Sequence, residues 1–282
     1  MAVPLNTADD DDARERLEID LLLDAIQRRY GYDFRGYAVA SLRRRLWHRV
    51  HGEGLRTISG LQERVLHEPA CMERLLRDLS INVTEMFRDP SFYRSLRERV
   101  FPLLRTHPFI RVWNAGCSTG EETLSLAIAL HEAQLLDRTR IYATDINDAA
   151  LERARAGAFP LDRMQRYTEN YLRSGGTEEF SRYYTADGDR ARFDPALVRG
   201  MVLAQHNLVT DGSFNEFHLI VCRNVMIYFG PALQEEVLEL FNDSLARFGI
   251  LALGRKESIR RSRYAADLEP LDEAEKIYRR RM

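Results

Sequence analysis

The chain has 282 residues, a formal net charge of −2, three cysteines and 45% hydrophobic residues. This length allows one large or two modest domains, and the near-neutral charge argues against nucleic-acid binding over a broad surface. No apolar run is long enough to cross a bilayer, residues 1–12 lack the basic-then-apolar order of a secretion signal, and the cysteines lack metal-ligand spacing. We therefore expect a cytoplasmic protein without membrane insertion, a bound metal or a nucleic-acid partner.

The N-terminal part of the chain is predicted to be helical. Residues 1–13, which include four consecutive aspartates, are expected to form a disordered acidic tail. Residues 14–80 are predicted to form a small helical domain, because apolar residues recur there at three- and four-residue spacing. Its first helix follows the tail, and three more are predicted over about 37–51, 59–66 and 70–79.

The second of these helices carries a basic cluster beside its apolar stripe. The cluster consists of Arg43, Arg44, Arg45 and Arg49. A run of charge is usually a solvated helix face. An electropositive face can also attract an acidic protein partner and raise its rate of encounter. The pattern alone leaves both interpretations open.

Residues 81–100 are predicted to link the helical domain to a second domain and to contribute ligand contacts. The segment contains Asn82, Thr84 and Arg88, three good hydrogen-bonding side chains among apolar neighbours. Asp89 and Pro90 suit the start of a helix. A connector that needs only length would not need these polar groups, although they could simply cap neighbouring helices.

Residues 110–122 are predicted to form a strand, a glycine-bearing turn and the start of a helix, which together open an α/β ligand site. Gly116 and Gly120 bracket the turn, and glycine lets the backbone turn sharply against a ligand. The turn is neither G-x-G-x-x-G nor a phosphate loop, and Glu121 and Glu122 stand where phosphate would bind. We therefore expect a nucleoside without a pyrophosphate, such as S-adenosylmethionine, which disfavours a dehydrogenase.

The next predicted strand ends at Asp145. An acid at this distance from the glycine turn commonly accepts hydrogen bonds from ribose hydroxyls. A short helix follows, and residues 157–200 are less regular and rich in aromatic residues. A hairpin with an Asp-Gly turn and an extended run to residue 205 predict an antiparallel β-subdomain inserted at about 179–205.

The remainder of the chain completes the predicted α/β domain over residues 101–282. An apolar strand over 217–222 leads into Arg223 and Asn224, and polar residues at the carboxyl end of a buried parallel strand lie at the ligand crevice. A helix from Pro231 to about Phe248, a strand over 250–253 and an antiparallel pair over 264–279 follow. This alternation predicts a mostly parallel sheet with helices on both faces.

Four separated segments together resemble the CheR-type chemoreceptor glutamate O-methyltransferases. They are Asn-Val-Thr-Glu-Met-Phe-Arg at 82–88, the turn at 113–122, Ala-Thr-Asp-Ile at 143–146, and Cys-Arg-Asn-Val-Met-Ile-Tyr-Phe at 222–229. The resemblance covers nearly the whole chain after residue 14. It implies an α/β fold: a Rossmann-like class I S-adenosylmethionine-dependent methyltransferase with an all-helical N-terminal domain and a small inserted antiparallel β-subdomain.

The resemblance also implies an activity and a partner. Members of the family transfer the methyl group of S-adenosylmethionine to receptor glutamates, leaving S-adenosylhomocysteine. The expected partners are the cytoplasmic helices of methyl-accepting chemoreceptors. We accordingly expect a monomeric, cytoplasmic bacterial enzyme that visits receptor arrays transiently.

The family motifs assign roles to individual residues of this chain. Cofactor binding is implied for Asn82, Thr84, Arg88, Gly116, Glu122, Asp145, Asn207, Leu208, Arg223 and Asn224. Arg88 and Tyr228 would stand nearest the transferred methyl group. The basic helix, through Arg43, Arg44, Arg45 and Arg49, would meet the acidic helices of the receptor.

The chain departs from the family pattern at several positions. Met86 replaces a phenylalanine, Thr123-Leu124 replaces Pro-Tyr, and Arg255-Lys256 interrupts a Gly-His-Ser-Glu run. The hairpin around Gly188 lacks an extra glycine-containing insertion, which indicates that no receptor-tail tether is needed. Two alternatives stay open: a methyltransferase of the same fold that acts outside chemotaxis, and a non-catalytic S-adenosylmethionine-binding module.

Overall fold

The computed structural model describes residues 7–80 and 84–281, and the chain divides into two compact units. The first unit holds the N-terminal residues up to 80 together with the later segment Tyr228–Gln234. The second unit holds residues 84–227 and 235–281. None of the helices in these described ranges is long and apolar enough to pass through a membrane.

The first unit contains four helices, as predicted. They are α1 (Thr7–Tyr30), α2 (Val39–Gly52), α3 (Ile58–His67) and α4 (Pro69–Leu79). Helix α1 packs on α3 and α2 packs on α4, and their apolar stripes form the core of the unit. The segment Tyr228–Gln234 joins this unit through a hydrogen bond of 2.9 Å from the Ala38 amide to the Tyr228 carbonyl.

The expected disordered tail over 1–13 is wrong for residues 7–13, because α1 already begins at Thr7. The rest of the expected tail, residues 1–6, lies outside the described residues. Acidic side chains near the N-terminus of a helix interact favourably with the helix dipole, which accounts for a helical start in a run of aspartates. The Asp11 carboxylate also accepts a hydrogen bond of 2.7 Å from Arg14.

The second unit contains the remaining helices and all ten strands of the described chain. The helices are α5 (Pro90–Ser95), α6 (Phe101–Leu104), α7 (Glu121–Glu132), α8 (Asp148–Ala156), α9 (Met164–Arg173), α10 (Pro195–Val198) and α11 (Pro231–Ser244), whose first residues belong to the first unit. The strands are β1 (Ile110–Ala115), β2 (Thr139–Asp145), β3 (Ala158–Pro160), β4 (Tyr184–Asp187), β5 (Arg190–Phe193), β6 (Met201–Gln205), β7 (Phe217–Cys222), β8 (Leu245–Leu253), β9 (Leu268–Asp272) and β10 (Ile277–Arg280).

A seven-stranded sheet has the order β6-β2-β1-β7-β8-β10-β9. The first five strands in this order are parallel, and β10 runs antiparallel to both β8 and β9. The chain proceeds from β1 to β2 on one side and later places β7 on the other side. The strand order therefore reverses between β1 and β7, where open α/β sheets bind ligands at their carboxyl ends.

The boundaries of the inserted subdomain differ from the prediction of about 179–205. The small sheet has the order β3-β5-β4, so it recruits residues 158–160, and the predicted hairpin turns at Gly188. Strand β6 instead pairs in parallel with β2, from Ile141 opposite Met201 to Asp145 opposite Gln205. Every residue of β6 is partly or fully exposed, as suits an edge strand that is held mainly by backbone pairing.

The C-terminal elements follow the predicted order with one shifted boundary. Helix α11 ends at Ser244 rather than near Phe248, because Leu245 already pairs with Phe217 of β7. A register shift follows within β8, where Phe248 has a φ of 60°. The predicted antiparallel pair is formed by β9 and β10.

Candidate functional site

The turn after β1 is built around Gly116, which has a φ of +76°. A Cβ at this position would lie 2.4 Å from Cγ2 of Val225, in the loop after β7. The Gly116 and Cys117 amides both donate to the Thr144 carbonyl, at 2.8 and 2.9 Å. Only glycine therefore allows the turn to fold over the end of β2 while the loop after β7 packs against it.

Asp145 lies at the carboxyl end of β2, beneath this turn. Its carboxylate accepts the amides of Ser118, at 2.8 Å, and Asn147, at 2.9 Å. Burial raises the pKa of the Asp145 carboxyl, while these amide hydrogen bonds act in the opposite direction. A carboxylate has about four acceptor positions, so Asp145 retains capacity for ribose hydroxyls.

Glu122, in the first turn of α7, is held by two donors. Nδ2 of Asn114 donates to one carboxylate oxygen at 2.9 Å, and Nη1 of Arg223 donates to the other at 2.8 Å. Asn114 is fully buried at the end of β1. Glu122 is thus fixed in orientation by strands β1 and β7, on either side of the point where the strand order reverses.

Thr123, one of the positions at which the chain departs from the family pattern, has a structural role. Its hydroxyl donates to Oδ1 of Asn114 at 2.6 Å, and this fixes which face of the Asn114 amide turns to Glu122. Leu124 is buried in the core of the second unit. The Thr123-Leu124 pair therefore supports the Glu122 position, and the sequence alone does not reveal this, because Asn114 is nine residues earlier.

Arg223 follows β7 directly, at the predicted edge of the sheet, and its guanidinium is enclosed by other residues. Its side chain is only 1% exposed and pairs with both Asp89, at 2.6 Å, and Glu122, at 2.8 Å. The guanidinium also stacks 4.1 Å above the ring of Phe92. Arg223 is therefore a buried bridge between the segment before α5 and the N-terminus of α7, since both carboxylates need its charge.

Arg88 stands between two residues in the left-handed region, Phe87 with a φ of 50° and Asp89 with a φ of 55°. The Phe87 ring is buried in the core, and its amide donates to Oγ of Ser125 at 2.9 Å. Asp89 is held by Arg223, which also donates to the Arg88 carbonyl at 3.2 Å. Strained backbone of this kind persists only where its surroundings hold it, so the position of Arg88 is enforced from both sides.

Asn224 also has positive φ, 60°, and begins a loop that is held by Glu257. The Glu257 carboxylate is buried and accepts the amides of Asn224 (3.2 Å), Val225 (2.9 Å), Met226 (2.8 Å) and Gly254 (2.5 Å). Burial raises the pKa of the Glu257 carboxyl, and the four amides oppose that rise. No sequence pattern indicates this role for Glu257, because its partners are mostly more than thirty residues away in the chain.

Asn207 reaches the same edge of the sheet because β6 is parallel to β2. The His206 amide donates to the Asp145 carbonyl at 3.2 Å, which places Asn207 next to the end of β2. The Asn207 side chain is mostly buried, and its carbonyl oxygen accepts the Val209 amide at 3.0 Å. Leu208 is half-buried beside it.

Three predicted residues, Asn82, Thr84 and Tyr228, are not part of this cluster as the structure describes it. Asn82 lies outside the described residues, and Thr84 is half-buried in the segment that leads to Arg88. Tyr228 belongs to the first unit, where its ring lies 4.4 Å from the guanidinium of Arg45. The second unit thus gathers Gly116, Glu122, Asp145, Asn207, Arg223 and Asn224 at the carboxyl ends of β1, β2, β6 and β7.

The four arginines of α2 do not form a uniform exposed surface. Arg45 is 5% exposed, contrary to its predicted docking role, and donates to the Leu79 carbonyl at 2.5 Å. Arg49 pairs with Glu53 and Asp78, and Arg43 pairs with Glu15. Among the described residues, Arg44 is the one of the four that is exposed and forms no ion pair. The physical reason is helix geometry: Arg45 and Arg49 lie beside Leu42 and Leu46 on the packed side of α2.

The donor set at this edge suits S-adenosylmethionine. Two carboxylates, Glu122 and Asp145, can accept from an ammonium group and from ribose hydroxyls, respectively. Glu121 and Glu122 begin α7, so its N-terminus is unsuited to a pyrophosphate. The oriented acids at the start of α7 and at the end of β2 therefore match a nucleoside cofactor that carries positive rather than negative charge.

Comparisons with known proteins agree with this geometry. Residues 82–273 match the family described as CheR methyltransferase, SAM binding domain, and residues 17–80 match CheR methyltransferase, all-alpha domain. Cher3 of Pseudomonas putida is 48% identical over 264 residues, which are 94% of this chain and 97% of that protein. Proteins named chemotaxis protein methyltransferase from Listeria innocua and Pseudomonas aeruginosa are 30% and 29% identical, over 83% and 73% of this chain and 87% and 77% of theirs.

These matches confirm the fold, the cofactor and the class of reaction that the sequence predicts. The second unit is a Rossmann-like class I methyltransferase fold, and S-adenosylmethionine is the cofactor, with S-adenosylhomocysteine as its product. Because the two domain matches cover most of the chain, the protein belongs to the CheR methyltransferase family.

Proposed function

We propose that the protein transfers a methyl group from S-adenosylmethionine to glutamate side chains on the cytoplasmic helices of chemoreceptors, in the cytoplasm and at receptor arrays. The names of its relatives support a role in chemotaxis. The observation that carries the proposal is the enforced position of Arg88, between two left-handed residues and next to the Arg223 bridge to Glu122. The backbone that carries the Arg88 side chain is thus fixed, and a guanidinium is suited to orienting a carboxylate through two parallel hydrogen bonds.

The reaction proceeds as a single displacement. A glutamate is already ionised at neutral pH, so the carboxylate oxygen needs no general base. The new O–C bond forms as the C–S bond breaks, and the electron pair of that bond stays on sulfur. When bound, S-adenosylmethionine supplies a methyl group activated by its positively charged sulfur.

The residues of this chain align the partners. Arg88 orients the attacking carboxylate, and proper alignment of two bound reactants lowers the barrier substantially. Glu122 would hold the ammonium group of the cofactor and Asp145 its ribose hydroxyls, with Asn114, Arg223 and the Ser118 amide fixing the orientation of the two carboxylates. Thr84, Asn207, Leu208 and Asn224 complete the proposed contacts, together with Asn82.

Tyr228 is proposed to lie near the transferred methyl, where its hydroxyl would donate a hydrogen bond and its ring would exclude water. The Arg45 guanidinium above its ring stabilises the ring in one position. The variant Tyr228→Phe separates the two roles, because it keeps the ring and removes the donor. A rate that survives this change assigns Tyr228 to water exclusion, and a loss of rate assigns it to hydrogen bonding.

The test uses radiolabelled cofactor, membranes that carry candidate receptors, and release of label by base. The unmodified protein is expected to produce base-labile label on a receptor, as a carboxyl ester requires. Arg88→Ala is expected to lower that rate roughly 100-fold, which is typical for loss of a charge-assisted contact at a reacting group. Thermal unfolding is expected to be unchanged.

The matched control is Arg261→Ala, because Arg261 is an exposed arginine of the same unit without an ion pair among the described residues. Parent activity in Arg88→Ala would refute the assigned role. Base-labile label on a protein that is not a chemoreceptor would refute the chemotactic substrate. Cofactor binding without label on any protein would point to the non-catalytic module.

A further inference from the structure

A polar cavity of about 470 Å³ lies within the second unit. It is lined by the segment before α5, by α5 and α9, and by the turn after β8. The charged residues in its wall are Glu85, Asp89, Arg94, Arg166, Arg173 and Arg255. Four arginines against two carboxylates give the wall a formal excess of two positive charges.

Several of these charges are already committed within the chain. Arg166 pairs with Glu85 at 2.6 Å, Arg255 pairs with Glu275 at 2.7 Å, and Asp89 pairs with the buried Arg223 at 2.6 Å. The charges in these three pairs are balanced, so the excess positive charge of the wall lies on its two remaining arginines. Four of the six charged wall residues therefore have an ion-pair partner within the chain.

Arg94 and Arg173 carry the charge that these pairs leave over. Both are exposed, and neither forms an ion pair with any residue that the structure describes. Nη2 of Arg94 donates to the Arg173 carbonyl at 2.7 Å, which ties the end of α5 to the end of α9. Two guanidinium groups on adjoining helix ends thus face one cavity without a counter-ion.

The wall of the cavity includes the residue that follows Arg88 in the chain. Asp89, in its wall, follows Arg88 directly in the chain, and both are held by Arg223. A polypeptide whose glutamate is oriented by Arg88 would therefore bring its neighbouring residues toward this wall. Arg255, one of the departures from the family pattern, also lies in the wall and donates to Oγ of Ser91 at 2.5 Å.

We propose that this arginine cavity binds acidic side chains of the protein substrate that neighbour the methylated glutamate. The inference rests on the proposed function, since it places a second contact on the same substrate. Carboxylates fit better than a nucleotide because no lining residue is aromatic, so a base has no ring on which to stack. The carboxylates of Glu85 and Asp89 in the wall also suit singly charged groups better than a phosphate dianion.

The kinetic test compares the full chain with the double variant Arg94→Gln/Arg173→Gln. The KM for the receptor is expected to rise about tenfold, a loss of roughly 1.4 kcal/mol. The kcat and the KM for S-adenosylmethionine are expected to stay within twofold, because neither arginine is part of the cofactor site. The control double variant is Arg199→Gln/Arg261→Gln, which removes two exposed arginines of the same unit.

Folding is checked by thermal unfolding, and Arg94→Lys/Arg173→Lys keeps the charges while changing the shape of the groups. Recovery of most of the receptor affinity in this lysine variant supports an electrostatic contact. An unchanged receptor KM in the glutamine variant overturns the inference. So does an equal rise in KM in the control variant, because the effect would then reflect net charge alone.

A binding test that needs no turnover keeps this inference separate from the proposed function. Fluorescein-labelled hexaglutamate is titrated with the unmodified chain, the glutamine variant and the control, and anisotropy is measured. Binding that only the glutamine variant loses supports the cavity, even if no receptor is methylated. Equal binding by all three proteins, or displacement by pyrophosphate at far lower concentration than by unlabelled hexaglutamate, overturns it.

Discussion

Glu257 shows how one side chain can organise a ligand-binding edge. Four amides converge on its buried carboxylate, three from the loop after β7 and one from Gly254 after β8. Asn224 in that loop has positive φ, a conformation that asparagine tolerates better than most residues. The carboxylate therefore holds a loop whose intrinsic preferences would not maintain it.

We expect Glu257→Gln to destabilise the protein by about 2 kcal/mol, because an amide NH₂ would face backbone donors that then lose their acceptor. The same change should weaken S-adenosylhomocysteine binding, since Asn224 begins the loop. Urea unfolding measures the first effect and calorimetry measures the second.

Glu273→Gln is the matched control, since that glutamate is 56% exposed and pairs with an exposed arginine. Exposed ion pairs of this kind contribute less than about 1 kcal/mol to the free energy of unfolding. Equal stability of the Glu257 and Glu273 variants would contradict the role given to the buried carboxylate.

The sequence predicts the role of a residue that acts at the end of its own strand. It does not predict the role of a residue that acts through partners far away in the chain. Asp145 follows a strand pattern directly, and parallel strands bring their carboxyl ends to one edge. Glu257 and Thr123 act on groups that only the folded sheet brings near. Arg223 lies at the predicted edge of the sheet, but spacing alone does not show that two carboxylates enclose its guanidinium.

Among the elements, α2 shows why a basic sequence does not always make a basic surface. Its buried positions are Leu42, Arg45, Leu46 and Val50, which recur at three- and four-residue spacing. The sequence predicts Arg45 on a basic face beside the apolar stripe, whereas its three-residue spacing from Leu42 brings it onto the packed side. Guanidinium groups at such positions bury their stems and find partners, as Arg45 does with the Leu79 carbonyl and the Tyr228 ring.

Three helices of the first unit, α2, α3 and α4, are linked through Glu53, which directly follows α2. Its carboxylate accepts Arg74 of α4 at 2.6 Å and both Arg49 and Arg64 at 3.1 Å. The hydrogen bond from Arg74 is the main cause that lowers the pKa of Glu53 to about 2 from 4.5. A single carboxylate thereby links three helices.

The lowered pKa predicts an acid-dependent contribution of Glu53 to stability. A carboxyl whose pKa is lower in the folded than in the unfolded state stabilises the fold above its unfolded value, near 4.5, and loses this effect as the pH falls toward 2. Glu53→Gln is expected to lower the melting temperature at pH 7 by about 5 °C. In thermal unfolding scans of the full chain, the difference in melting temperature between parent and variant should become steadily smaller below pH 4.5.

Glu68→Gln serves as the comparison, because the Glu68 side chain is 54% exposed and its Arg64 contact is 3.6 Å long. If the melting-temperature difference between the parent and Glu53→Gln stays constant from pH 7 to pH 3, the three arginines do not stabilise the fold through the lowered pKa of Glu53.

For the molecule as a whole, the sequence predicts the order of the helices and strands more accurately than it predicts which strands pair with each other. Alternating strands and helices indicated the parallel sheet, and β9 and β10 form the predicted terminal pair. Strand β6 was assigned to the insertion, since its sequence does not show whether it pairs with β2 or with a hairpin. Pairing of this kind depends on the register of distant strands, which local pattern does not encode.

All three cysteines of the chain are unpaired and buried, at Cys71, Cys117 and Cys222. Burial raises the pKa of each thiol, which lowers the fraction of reactive thiolate. We expect no thiol of the native protein to react with a disulfide reagent within minutes at pH 8, and all three to react in guanidinium. One rapidly reacting thiol in the native protein would contradict the burial that the structure gives.

The turn from Gly254 to Glu257 has a consequence for how substrate preference can diversify. Its shape depends on its first and last residues, because a Cβ at Gly254 would lie 2.7 Å from the Glu257 carboxylate and 2.9 Å from the Asn224 nitrogen. The two residues between them, Arg255 and Lys256, are exposed. Because the loop after β7 is held by Gly254 and Glu257 rather than by this inner dipeptide, its two side chains are free to vary through evolution while the loop keeps its shape, and such variation would alter the wall of the proposed substrate-binding cavity.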